Sequence, residues 1–196
     1  MKSHSSMYGR GASLERQMAC SSFAHTFADQ MPQKITILDH ERVQRKLERI
    51  AHQLHEENFE ETGIVLIGVA DRGSMVMKRL AKRLKEISEL KVATAVINLD
   101  KDQPLEGPVQ LSVEPDTLKG RVVVLVDDVL MSGRTLMYAA SFLVQAPLKK
   151  LITVVLVDRM HRKFPIRADI VGLTLSTTLQ ERISVEFGKK DAVYLA

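Results

Sequence analysis

At 196 residues the chain is long enough to bury one substantial core, and its 45% apolar and 27% charged residues are ordinary for a globular protein. A single cysteine, Cys20, excludes an intrachain disulfide framework and a multi-cysteine zinc site. The formal charge of +4, from 28 basic and 24 acidic side chains, suits anionic substrates or nucleic acid without requiring either.

Residues 1–33 are rich in Ser, Gly, His and Met with little periodicity, which predicts a mobile tail or leader outside a single domain over 34–196. Val43, Leu47, Ile50, Ala51 and Leu54 mark one face of a helix, and Ile64 to Val69 reads as a buried strand. Ser74 to Ile87 is a second helix. Its apolar face is Val76, Leu80, Leu84 and Ile87, opposite a basic stripe of Lys78, Arg79, Lys82, Arg83 and Lys85 that suits either RNA phosphates or plain solvation. Val92 to Leu99 is another strand. Pro104, Gly107, Pro108, Pro115 and Gly120 then argue for a long loop of the kind that closes over active sites. A strand from Val122, a helix over Thr135 to Val144 and a strand over Leu151 to Val157 follow. This alternation implies an α/β fold with a parallel sheet flanked by helices. No apolar run approaches the roughly 20 residues that cross a bilayer, and no secretory segment is visible, so a cytoplasmic protein with no membrane partner is expected.

Val122 to Thr135, VVVLVDDVLMSGRT, carries the most chemistry. Its apolar start suits a strand buried on both faces, while Ser132, Gly133 and Thr135 open a helix. Asp127 and Asp128 therefore fall at the carboxyl end of a strand, where open α/β sheets bind ligands. Paired carboxylates accept hydrogen bonds from vicinal hydroxyls, and amides at a helix start hold phosphate, so the segment suits both ends of a ribose phosphate. A second loop, Gly68-Val69-Ala70-Asp71-Arg72-Gly73, also follows a buried strand, and Arg72 offers a charged fork for phosphate oxygens. The six histidines show no metal-motif spacing, and no side chain is assigned as a metal ligand.

The Val122 to Thr135 segment resembles the phosphoribosyl pyrophosphate (PRPP) signature of type I phosphoribosyltransferases. The resemblance extends from Ile37 to Tyr194 toward pyrimidine-operon attenuation regulators that are also uracil phosphoribosyltransferases, the PyrR family. Its most specific passage is Leu156 to Asp169, LVDRMHRKFPIRAD. It implies the type I phosphoribosyltransferase fold with a small base-covering hood, contributed mainly by 158–187. By that resemblance Asp127 and Asp128 bind the ribose hydroxyls of PRPP, and Met131, Ser132, Gly133, Arg134 and Thr135 cradle its 5′-phosphate. Ala70, Asp71, Arg72 and Gly73 receive pyrophosphate, and Lys101 sits on the flexible catalytic loop. Asp158, Arg159, His161 and Arg162 belong to the base and hood region. The implied reaction is uracil plus PRPP giving UMP and pyrophosphate, with Mg²⁺ held chiefly through PRPP.

The resemblance also implies a homo-oligomer, and a response of pyrimidine-operon mRNA binding to UMP. Two alternatives stay open: an RNA-binding attenuation regulator with little or no turnover, and transfer to another base such as adenine. The relatives have Thr-Arg-Gly where this chain has Asp71-Arg72-Gly73, and Tyr-Arg-Asp-Asp where it has Leu99-Asp100-Lys101-Asp102. Hypoxanthine-guanine enzymes carry an additional acid at the position of Met131.

Overall fold

The computed structural model describes residues 34–195 apart from 101–102, 104–106 and 178–180, so the expected tail or leader over 1–33 and Lys101 lie outside the described residues. In chain order the elements are β1 (Ile35–Leu38), α1 (His40–Glu56), β2 (Gly63–Val69), α2 (Arg72–Ile87), β3 (Lys91–Asn98), β4 (Gln110–Leu111), a 3-10 turn (Pro115–Leu118), β5 (Val122–Leu130), α3 (Arg134–Leu143), β6 (Lys150–Asp158), β7 (Ile170–Thr174), β8 (Ile183–Glu186) and β9 (Ala192–Leu195).

Six strands form one sheet in the order β4-β3-β2-β5-β6-β7, parallel throughout except for the short β4 against β3. The central strands are buried on both faces, which is why they read as unbroken apolar runs. Ile64 and Leu66 face a core shared with α1 and α2, whereas Val65, Ile67 and Val69 face a second core shared with α3 and Leu118. Period-two alternation thus divides the helices between the two faces. The chain leaves β2 toward β3 on one side and leaves β5 toward β6 on the other. Between the carboxyl ends of β2 and β5 lies the resulting switch point, the crevice where such sheets take ligands.

All five apolar positions expected on α1 are buried, and its start is capped by Asp39, whose carboxylate accepts from the Arg42 amide at 2.9 Å. β5 is longer than its apolar run. Its pairing to β6 carries on from Asp127 opposite Val155 to Leu130 opposite Asp158, so the two acids lie within the strand's last turns rather than after it. The proline-rich stretch expected as loop holds β4 and the 3-10 turn, and Leu118 from that turn is buried.

A separate antiparallel sheet, β1-β9-β8, joins residues near both limits of the described chain, with Ile35 opposite Leu195. The turn before β9 is locked by Asp191. Its carboxylate receives Arg79 Nε at 2.8 Å, Arg79 Nη2 at 2.6 Å, Gln44 Nε2 at 2.8 Å and the Gly188 amide at 3.2 Å. Arg79 also lies over the Phe187 ring, 4.5 Å from its centroid. Burial opposes ionisation of Asp191, but the Arg79 and Gly188 hydrogen bonds, the Arg79 charge and the Gln44 amide outweigh it, so its pKa lies below the ordinary carboxylate value.

Candidate functional site

Two loops meet at the switch point because glycines let them. After β2 the Ala70 amide bonds the Ile97 carbonyl at 2.9 Å, and the Ser74 hydroxyl donates to the Asp71 carbonyl at 2.7 Å. Asp71 takes a positive φ of 66° to make this turn. Gly68 brings β2 against the start of α2, where a Cβ would stand 2.6 Å from the Ser74 Cα. Gly73 then seats that helix start directly on β5. A Cβ there would fall 2.9 Å from both Asp127 Oδ1 and the Val126 carbonyl.

Asp127 and Asp128 are 7% and 9% exposed, and the Asp128 amide donates to Asp127 Oδ1 at 2.9 Å. The chain then turns through Gly133, whose φ of 83° is in the left-handed region that glycine adopts without strain. A Cβ at that position would also lie 2.9 Å from Ile166 Cγ2. Gly133 offers the ten-residue α3 no side-chain cap, and the Arg134 amide donates to the Ser132 hydroxyl at 3.3 Å; a helix start of this kind is suited to an anion. The segment after β6 folds over the same loop. Amides of Lys163 and Phe164 donate to the Ser132 carbonyl at 2.8 and 3.0 Å, and Arg134 lies 5.7 Å from the Phe164 ring centroid.

Asp158, 5% exposed, organises this segment from beneath. One of its oxygens accepts the Met160 amide at 2.9 Å and the other pairs with Arg162. Arg159 is 6% exposed, its amide bonded to the Leu130 carbonyl at 3.0 Å and its Nε to Thr177 Oγ1 at 2.7 Å. His161 Nδ1 lies 3.2 Å from the Arg159 carbonyl.

These elements enclose a cavity of about 1050 Å³. Asp71, Arg72, Asp127, Asp128, the whole of Met131 to Thr135, Arg159, His161 and Arg162 line it, so three separated segments converge on one space. Ala70, Gly73 and Asp158 do not line it; Gly73 and Asp158 hold the wall from behind through the contacts given above. Met160, Lys163 and Ile183 also line the cavity; they fall within the 158–187 span expected as hood but were not singled out, and Val129, Leu130 and Leu136 line it too. Ile183 comes from β8, four residues with no distinctive pattern, while Met160 is marked by its φ of 62°, a property of the backbone. The basic stripe of α2 is divided. Arg79 is engaged by Asp191 and Arg83 donates to Gln44 Oε1 at 2.7 Å, whereas Lys78, Lys82 and Lys85 are exposed.

The phosphoribosyl transferase domain family matches residues 35–189. The chain is 38% identical over 166 residues to the bifunctional protein PyrR of Pelotomaculum thermopropionicum, covering 81% of this chain and 92% of that protein. It is 35% identical to the bifunctional protein PyrR of Haemophilus ducreyi, covering 80% and 92%. Among solved structures, a hypoxanthine-guanine phosphoribosyltransferase from Bacillus anthracis matches with a TM-score of 0.66 at 21% identity, covering 82% of this chain and 98% of that one. The hypoxanthine phosphoribosyltransferase of Trypanosoma cruzi matches with a TM-score of 0.64 at 19% identity, covering 76% and 83%. At these identities the structural matches establish the fold, a type I phosphoribosyltransferase α/β architecture.

Proposed function

The chain belongs to the phosphoribosyl transferase domain family, with the bifunctional PyrR proteins as its relatives, and from that premise we propose that it transfers the phosphoribosyl group of PRPP to uracil, giving UMP and pyrophosphate. The observation that carries this reading is the convergence of two buried carboxylates, the start of α3 and the Arg72 loop on one cavity. Asp127 and Asp128 accept hydrogen bonds from the 2′ and 3′ hydroxyls, and the amides of the Met131 to Thr135 loop hold the 5′-phosphate. Arg72 places a permanent charge and a fork of donors toward the diphosphate, and Lys101 is assigned to the closing loop over it.

As the C1′–oxygen bond breaks, its electron pair leaves with the diphosphate while a ring nitrogen of the base bonds to C1′ from the opposite face and gives up its proton to solvent. Positioning and charge stabilisation lower the barrier, so no protein nucleophile is needed. The donor set fits Mg²⁺, which keeps most of its waters and binds through one or two carboxylates plus substrate phosphates. When bound, the ion supplies neutralisation of the charge growing on the leaving group.

Uracil is favoured over hypoxanthine and guanine because Met131 has no proton to give or take. A panel of uracil, adenine, hypoxanthine and guanine, incubated with PRPP and magnesium and resolved by chromatography, tests the assignment; UMP is the expected product. Turnover of a purine with none of uracil overturns the choice of base. A second reading, regulation through RNA, is supported by the three exposed lysines on one face of α2. Filter binding of a pyrimidine-operon leader, with and without UMP, tests it, and salt-insensitive or sequence-blind retention rejects it.

A further inference from the structure

Backbone strain singles out one wall of the cavity. Among the described residues, two non-glycine positions have positive φ, Asp71 at 66° and Met160 at 62°, and both line this cavity. A left-handed backbone pushes Cβ toward the following carbonyl, so a side chain persists there only when its surroundings hold it. At Met160 they do. Its amide is bonded to Asp158, the preceding Arg159 is tied to Leu130 and Thr177, and Lys163 and Phe164 are tied to Ser132. Glycine would meet the same backbone demand without strain. Instead the chain projects a thioether, 55% exposed, from the middle of a pinned loop.

Met131 stands close by and is 38% exposed on the same cavity. It follows Leu130, whose register partner is Asp158 and whose carbonyl holds Arg159, so the two methionines leave adjacent strand ends. Asp71, Arg72, Asp127 and Asp128 make other parts of the wall charged, and Arg159, His161, Arg162 and Lys163 set polar groups around the two methionines. Phosphates and ribose hydroxyls match charged groups and amides; a planar heterocycle is the part of a nucleotide that gains from thioether contact.

We propose that Met160, with Met131 beside it, is a specificity-determining shelf that takes the flat face of the nucleobase. This rests on the phosphoribosyltransferase reading and deepens it. A thioether offers only a weak sulfur acceptor and no donor. The shelf therefore selects planar heterocycles by contact area and shape, and leaves the hydrogen-bonding edge of the base to other groups.

The test is calorimetric titration of the intact protein with UMP and, separately, with ribose 5-phosphate, which lacks a base. The unmodified protein is expected to favour UMP by about tenfold or more, the scale of a good apolar contact. Met160→Gly should remove most of that preference, leave ribose 5-phosphate binding unchanged, and melt at the same or a higher temperature because the strain is relieved. Met160→Leu should retain most of the preference, and Met160→Gln, similar in length but polar, should lose it even if the glycine variant fails to fold. Full UMP preference in the glycine and glutamine variants overturns the shelf, as does an equal loss for both ligands. A protein that binds ribose 5-phosphate but gains nothing from the base refutes the shelf while sparing the parent reading. Binding of neither ligand overturns both.

Discussion

Replacing Asp127 and Asp128 together by Asn preserves volume but turns two acceptor-only groups into amides that present donors to the ribose hydroxyls. Hydrogen bonds to charged groups contribute about 1.5–3 kcal/mol each, so PRPP affinity should fall at least about a hundredfold by calorimetry, with an unchanged circular dichroism spectrum. A loss below tenfold would contradict the assigned role. Gly73→Ala tests the same acids from behind. Its new Cβ would lie 2.9 Å from Asp127 Oδ1, against a strand that cannot retreat, so the expected cost is about 1–3 kcal/mol in stability together with weaker PRPP binding. A variant as stable as the parent, with unchanged affinity, would show that the helix start and β5 separate freely.

Asp191 supplies a pH-dependent prediction. Its folded pKa is lowered, so its contribution is complete above the ordinary Asp value of about 3.9 and is lost as pH falls through the lower folded value. The aspartate side chain is 2% exposed but Arg79 is 28% exposed, so the buried-pair cost is discounted for solvent to roughly 2 kcal/mol. Asp191→Asn should therefore melt several degrees below the parent at pH 7, with the gap narrowing as pH drops below about 4. A gap independent of pH would remove the carboxylate from the explanation. Much at this scale was readable in advance: the acids, Arg72 and the 131–135 loop reach the cavity as their residue types suggested. Met160 was not, because its left-handed φ comes from pinning 158–164 against β5 and the Ser132 loop, which involves residues far apart in the chain.

α2 serves two ends of the molecule. Its first residue, Arg72, lines the cavity, while its middle holds the small sheet through Arg79 and Asp191. The lysines Lys78, Lys82 and Lys85 are left on the outer face. If they contact RNA phosphates, changing all three to Ala should weaken leader binding, flatten its salt dependence by up to about three contacts, and leave nucleotide formation intact. Unchanged RNA retention would return the stripe to ordinary solvation. The elements most legible in the sequence were β2, α2, β5 and β6, where burial on both faces or one broad face writes a long apolar pattern. β1, β4, β8 and β9 have four residues or fewer, and pairing partners distant in the chain rather than periodicity define them.

For the whole molecule, family analogy leads to the expectation of a dimer, which light scattering at tens of micromolar should show as twice the chain mass; a persistent monomer would contradict it. The pairing of β1 with β9 has a separate consequence, in time rather than in space. Its partners stand about 160 residues apart, so at five to twenty residues per second β1 waits roughly ten to thirty seconds on the ribosome before β9 emerges. The central β2, β3 and β5 are synthesised well before that. A growing chain can thus assemble the sheet edge that bears the acids while the β8 wall, with Ile183, is still missing. During that interval the nascent site is open on one side, and its completion waits for β8 to follow.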